Sequence, residues 1–178
     1  MLKVMFVCTG NVCRSAMAEG LLKKMLEYKE INNVIVDSCG LDAYNNAYAT
    51  DEAITVMKKE YDVDILNHTS KNIKETKVEE FDIILTATKG QKTTIEYEFP
   101  GTVGKIYSMR EYAYGEDVEV QDIKDPWGYP YDVYQKVAKE IYEVVKVIAD
   151  KIVDELEKQK IEQMQLMNEE NINERRDN

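Results

Sequence analysis

The chain has 178 residues, 44% of them hydrophobic, and its 34 acidic against 23 basic side chains leave a formal charge of −11. That length and apolar content suit one globular domain with a sizeable core and would crowd two. The acidic balance excludes nucleic acid and anionic membrane as partners, since both demand a basic face, but it leaves room for a small anionic substrate held by one cationic loop.

Three cysteines, an odd number without other features of a disulfide scaffold, fit a reducing compartment. The N-terminus offers only a short apolar run before Thr9 and Gly10, too brief for a signal-peptide core or a membrane span, so a cytoplasmic location is expected.

Val4-Met5-Phe6-Val7 has the length and bounds of a buried strand, and from Ala16 onward Leu21, Leu22, Met25 and Leu26 carry helical spacing. Between them Cys8-Thr9-Gly10-Asn11-Val12-Cys13-Arg14-Ser15 must turn sharply. Gly10 permits backbone angles closed to other residues and Asn11 tolerates them best among the rest, so a tight turn here points successive N–H groups inward as an anion nest. The following helix adds its positive end, and Arg14 can offer a planar two-pronged donor to two oxygens of one phosphate. Helix N-termini and neighbouring cations favour the thiolate, which is the nucleophile, and Cys8 lies beneath the anion. An ATP-binding loop is excluded because no Gly-Lys-Ser/Thr follows the glycine. An isolated cysteine is more often a small buried hydrophobe, but Gly10, Asn11 and Arg14 around this one favour the nucleophile.

This eight-residue loop resembles the signature of the low-molecular-weight protein tyrosine phosphatases, a family whose bacterial relatives include protein arginine phosphatases. The resemblance implies an α/β three-layer sandwich: a central four-stranded parallel sheet in the order 2-1-3-4, helices on both faces, and the phosphate-binding loop after the first strand. It implies catalytic roles for Cys8, Arg14 and Asp125, and a phosphate or substrate site formed by Thr9, Gly10, Asn11, Val12, Cys13, Ser15, Tyr44 and Trp127. Ser15 would hydrogen-bond the Cys8 thiolate.

Further along, Lys29 to Asn33 is polar and ends the first helix, and Val34-Ile35-Val36 reads as a second strand broken by Asp37-Ser38-Cys39-Gly40. Strand, helix and strand at this spacing imply a parallel pair with a right-handed crossover, whose ligands sit at the strands' carboxyl ends. There the resemblance makes Tyr44 one wall of the slot for the substrate's ring. Thr50 is placed to cap a helix whose first turn holds Asp51 and Glu52. The sole histidine, His68, suggests a general base by type, whereas the resemblance implies that it braces Asn11.

Phe81 to Thr86 reads as a third strand, Lys89 to Tyr97 as a helix closed by Pro100-Gly101, and Lys105 to Ser108 as a fourth strand. From Met109 to Asp125 the composition turns acidic and loop-like. Asp125-Pro126-Trp127 stands out because Pro126 fixes the backbone after the acid. In the family an aspartate before proline protonates the leaving oxygen and a nearby aromatic forms the other wall, which matches Asp125 and Trp127. Val133, Val137, Ile141, Val144, Val145, Ile148 and Ile152 mark a long amphipathic helix covering one face of the sheet. The phosphatase domain is expected over residues 1–155, with 156–178 a helical or disordered extension whose apolar stripe is thin.

The implied chemistry is hydrolysis through a cysteinyl-phosphate: Cys8 attacks phosphorus, Arg14 and the loop amides hold the oxygens, and Asp125 serves as acid and then base, with no metal or cofactor required. Phosphorylated proteins are the expected partners. The resemblance also implies a reversible Cys8–Cys13 disulfide, while Cys39 reads as a core filler. The arginine-directed relatives carry threonine before the second cysteine of the loop. Val12 has that shape without the hydroxyl and so points to phosphotyrosine, although Leu66-Asn67-His68 and Leu85-Thr86-Ala87-Thr88 look closer to the arginine-directed relatives. Thiol-dependent arsenate reduction would need further cysteines after the third strand, and none is there. A binding module that had lost catalysis would have shed Cys8, Arg14 or Asp125, and all three are present.

Overall fold

The computed structural model of the protein describes residues 1–120 and 122–176, with side chains described through 167. Its elements follow in the order β1 (Leu2–Cys8), α1 (Arg14–Tyr28), β2 (Val34–Gly40), α2 (Asp51–Tyr61), β3 (Ile83–Thr86), α3 (Lys89–Glu98), β4 (Ile106–Ser108), α4 (Met109–Tyr114) and α5 (Tyr131–Arg176). The four strands form one parallel sheet in the order β2-β1-β3-β4, as the resemblance implied.

From Val4 to Val7 β1 is an unbroken apolar run because it is central. It pairs with β2 from Leu2↔Val34 to Cys8↔Gly40 and with β3 from Val4↔Ile83 to Val7↔Thr86. A strand buried on both faces must be apolar at every position. Val4 and Phe6 enter the larger core with α1, α2, α4 and α5, while Met5 and Val7 enter the smaller one with Ile95 of α3 and with Ile73 and Val78. The first core is the thicker because α5 presents Val137, Ile141, Val144, Val145, Ile148 and Ile152 to it, each nearly or fully buried.

The structure departs from the sequence reading in several places, among them Phe81 and Asp82, which precede β3 and are not part of it. β2 does not break at Asp37 but runs on to Gly40, because the whole of β1 lies beside it as a ladder partner, and polar Ser38 is buried with its hydroxyl already hydrogen-bonded. The first helix begins at Arg14, before the apolar spacing at Ala16. The stretch after Met109, read as loop, opens with α4, whose capping box pairs the Ser108 side chain with the Glu111 amide and the Glu111 carboxylate with the Ser108 amide. Acidic composition hid a Ser-x-x-Glu signal.

α5 continues without interruption through Arg176. Among the described residues Ile152 is its last fully buried side chain, and Ile161, Met164, Leu166 and Met167 are exposed. Among the described residues no helix is long and apolar enough to cross a membrane.

Gly40 closes β2 against the turn that follows β1. A Cβ there would lie 2.5 Å from the Thr9 carbonyl oxygen and 2.9 Å from the Asn11 amide nitrogen, both backbone atoms. Gly40→Ala should therefore cost about 1–3 kcal/mol of stability, read as a lower urea midpoint. An unchanged midpoint would mean that the loop yields and is not packed this tightly.

Candidate active site

β1 ends at Cys8 and α1 starts at Arg14, so the loop between them sits at the carboxyl edge of the sheet. Cys13 holds the N-cap position of α1 without a side-chain capping bond, and the first amides of a helix have no intrahelical acceptor. They add a positive end to the loop.

The strained residue is Asn11, at φ 55°, and not Gly10, which lies outside the left-handed region. A Cβ on Gly10 would meet only Val12 Cγ2, at 3.6 Å. Asn11 is completely buried, and every polar group it owns is used. Its Nδ2 donates to Ser15 Oγ at 2.9 Å and to Ser38 Oγ at 2.8 Å, and its Oδ1 accepts from the Lys71 amide at 2.9 Å. Its carbonyl lies 2.8 Å from His68 Nε2, and since a carbonyl can only accept, Nε2 carries the proton. Its amide donates to Cys8 Sγ at 3.2 Å. His68 thus occupies the bracing position, with its Nδ1 3.6 Å from the Glu19 carboxylate.

Cys8 is buried beneath this turn with Ser15 Oγ 3.0 Å from its sulfur. Arg14 is also buried. Its Nη1 donates to the Ile123 carbonyl at 3.0 Å and its Nη2 to Asp125 Oδ2 at 2.7 Å, across 111 residues of sequence. Its Nε is the only buried side-chain nitrogen or oxygen without a partner among the described residues. A buried donor left unpaired costs about 1–3 kcal/mol, a cost that an anion in the loop would remove.

The segment carrying the acid is tied to the sheet's edge. The Ile123 amide donates to the Ala87 carbonyl at 2.9 Å, and Asp122 Oδ1 accepts from the Lys89 amide at 2.8 Å, just beyond β3. Asp125 Oδ1 in turn accepts from the Trp127 amide at 3.1 Å, an Asx turn that aims the carboxylate.

Together these elements line a cavity of about 470 Å³ whose walls include Cys8, Thr9, Gly10, Val12, Cys13, Arg14, Tyr44, Asp125 and Trp127. Tyr44 and Trp127 are largely exposed, as rings forming the mouth of an open slot. Asn11, Ser15 and His68 lie behind this lining and support it.

Four contributors escaped the sequence reading. Ser38 bonds Asn11, Gln91 Nε2 donates to Thr9 Oγ1 at 3.1 Å, and the Thr50 amide donates to the Val12 carbonyl at 3.0 Å. Tyr134, fully buried at the start of α5, has its hydroxyl 3.2 Å from Cys13 Sγ and accepts from Thr50 Oγ1 at 3.1 Å. Only Ser38 carried a signal, as a polar residue inside a buried strand.

All three cysteines are free thiols. Burial pushes the Cys13 thiol up to about 11 against the opposing hydrogen bonds of Tyr134 and Thr50. Burial likewise pushes Cys39 up to about 12, opposed by a hydrogen bond from Thr76. Raised values keep both neutral, so an unfolded chain, titrating near 9.0, loses these protons first and stability falls as pH rises above that point. In native protein at pH 8, iodoacetamide should label Cys13 and Cys39 far more slowly than in urea-unfolded chain, read by peptide mass spectrometry. Rapid native labelling of Cys13 would contradict its buried, neutral setting.

Comparison with known proteins agrees with the fold. The family model described as low molecular weight phosphotyrosine protein phosphatase matches residues 3–162. The chain is 34% identical over 149 residues to a protein-arginine-phosphatase of Bacillus subtilis, covering 84% of this chain and 95% of that protein. It is 31% identical over 148 residues to the low molecular weight protein-tyrosine-phosphatase PtpB of Staphylococcus epidermidis, covering 83% and 96% respectively. Among solved structures, a low molecular weight protein tyrosine phosphatase from T. tengcongensis superposes with a TM-score of 0.78 at 32% identity, over 85% of this chain and 99% of that one.

Proposed function

This chain belongs to the low molecular weight phosphotyrosine protein phosphatase family, and on that premise we propose that it hydrolyses phosphotyrosine in proteins through a cysteinyl-phosphate intermediate. The observation that carries the reading is the Cys8 sulfur on the floor of the cavity, within hydrogen-bond reach of Ser15 Oγ and the Asn11 amide and beside the Arg14–Asp125 pair.

In the proposed first step the Cys8 thiolate attacks phosphorus in line, the S–P bond forms, and the P–O bond to the leaving group breaks. The loop amides and Arg14, including its unpartnered Nε, take the equatorial oxygens. Asp125 gives its proton to the leaving oxygen. The phosphate competes with Asp125 for Arg14, so substrate binding frees the carboxyl group to act. In the second step water attacks phosphorus, Asp125 accepts its proton, and the thiolate departs into the hydrogen bonds of Ser15 and Asn11. His68, Asn11 and Ser38 hold the loop in shape throughout.

Val12 on the cavity wall supports the phosphotyrosine substrate: it supplies an apolar face where a hydroxyl-bearing side chain would serve a guanidinium. The second reading, phosphoarginine in proteins, is favoured by the identity to the Bacillus subtilis protein-arginine-phosphatase. The phosphatase unit is proposed to end near residue 155, just past Ile152, the last fully buried side chain of α5 among the described residues. Three free cysteines support action in the reducing cytoplasm.

Cys8→Ser should abolish turnover, and Asp125→Ala should slow it by about 10²-fold or more, most for poor leaving groups. Steady-state phosphate release from phosphotyrosine and phosphoarginine peptides at matched concentration decides the substrate. A clear tyrosine preference bears out the role of Val12, and an arginine preference moves the assignment to the second reading with the same two-step chemistry. Full activity in Cys8→Ser would sink both.

A further inference from the structure

One charged group in the cavity has no part in the two-step chemistry. Asp42 lines it together with Val12, Tyr44 and Trp127. Its position is set by the backbone: the Leu41 amide donates to the Cys8 carbonyl at 2.9 Å and the Asp42 amide to the Thr9 carbonyl at 2.9 Å, so the segment after β2 is zipped along the loop that holds the nucleophile. On its other side the Ala43 carbonyl accepts from Asn72 Nδ2 at 3.0 Å. The backbone that bears this carboxylate is therefore held on both sides, yet among the described residues the carboxylate itself takes part in no hydrogen bond or ion pair.

An exposed aspartate is usually nothing more than a solvated surface charge. This one differs in facing the path of a dianionic substrate, in a chain already carrying a charge of −11. Among the described residues the cavity's only cationic side chain is Arg14, bound to Asp125 and the Ile123 carbonyl. When phosphate takes Arg14 and Asp125 acts as an acid, Asp42 is left as the uncompensated charge on the wall. Like charge on the cavity wall repels the incoming phosphate, unless the substrate brings a cation of its own.

We propose that Asp42 is a specificity-determining residue that pairs with a cationic side chain next to the phosphorylated residue, so that the enzyme selects phosphopeptides flanked by Lys or Arg over those flanked by Asp or Glu. The inference rests on the phosphatase reading and deepens it. The chain's overall negative field would also draw in basic peptides, and substitution at Asp42 alone separates the local effect from the global one.

The test compares kcat/KM for three phosphotyrosine peptides of equal length that carry Lys, Ala or Glu beside the phosphotyrosine, in the wild-type protein, Asp42→Asn and Asp42→Lys. Hydrolysis of p-nitrophenyl phosphate by the wild type, with Cys8→Ser as control, reports separately on the phosphatase reading. An exposed ion pair and an exposed repulsion each change rates by a few-fold, so the wild-type Lys-to-Glu ratio should be about tenfold. It should fall below about twofold in Asp42→Asn, invert in Asp42→Lys, and shrink in the wild type as salt is raised. The same ratio in wild type and Asp42→Asn, or a wild-type ratio near one alongside brisk p-nitrophenyl phosphate hydrolysis, would overturn the role of Asp42 and leave the phosphatase intact. No hydrolysis of any substrate by folded wild type would overturn both.

Discussion

The active-site end of the molecule depends on one residue held in an unfavourable backbone conformation. A left-handed, non-glycine residue costs roughly 1–2 kcal/mol, and Asn11 at φ 55° bears that cost. Against it stand the three side-chain bonds to Ser15, Ser38 and Lys71 and the bond from His68 to its carbonyl, each worth about 1 kcal/mol net. The bracing therefore outweighs the strain. Its product is the direction of the Asn11 amide, which points at the Cys8 sulfur. Asparagine serves here because its side chain has both a carbonyl and an amide, and both are consumed: aspartate would lack the donors for the two serine hydroxyls, and glycine would keep the angle and the two backbone bonds but lose all three side-chain ones.

The partners in that bracing come from distant places in the chain, and parallel topology is what gathers them. Ser15 sits on α1, Ser38 on β2, and His68 and Lys71 lie between α2 and β3. Adjacent parallel strands deliver all their carboxyl ends to the same edge, so a loop after β1 is flanked by the segments that follow β2 and β3. The same arrangement brings Ile123 and Asp125 onto Arg14, because their segment is hydrogen-bonded to Ala87 and Lys89 just past β3. A central strand that is fully buried fixes the loop; the edges supply what acts on it.

Local patterns, together with the family resemblance carried by the Cys8 to Ser15 loop, were enough for the architecture, and of the residues they singled out Cys8, Arg14, Tyr44, Asp125 and Trp127 meet around one cavity. Cys8 to Ser15 is contiguous, and Asp125-Pro126-Trp127 is a short motif, so both could be read without knowing what packs against them. The supporting contacts could not. Tyr134 bonds Cys13 across 121 residues, and nothing in the periodicity of α5 separates it from the other tyrosines of the chain. Gly10 was the natural choice for a positive φ by propensity, but tertiary hydrogen bonds moved the strain to Asn11. β2 outran its apolar stretch because β1 offered ladder partners to Asp37 and Ser38, and α4 was masked by the acidic composition around its capping box. In each case a long-range contact or a specific side-chain bond overrode a local preference.

Cys8 and Cys13 show how strongly placement decides thiol chemistry within a single loop. Cys8 lies at the end of a strand with a backbone amide and a serine hydroxyl directed at its sulfur. Cys13, five residues on, faces the core, where Tyr134 and Thr50 surround its sulfur and burial keeps it protonated to about 11. A neutral thiol is a poor nucleophile, so this setting leaves Cys13 unsuited to attack phosphorus. The hydroxyl of Tyr134 that meets Cys13 also accepts from Thr50, whose amide holds the Val12 carbonyl on the cavity wall. The start of α5 is thereby tied to the cavity wall through Tyr134 and Thr50, two side chains that do not line the cavity themselves.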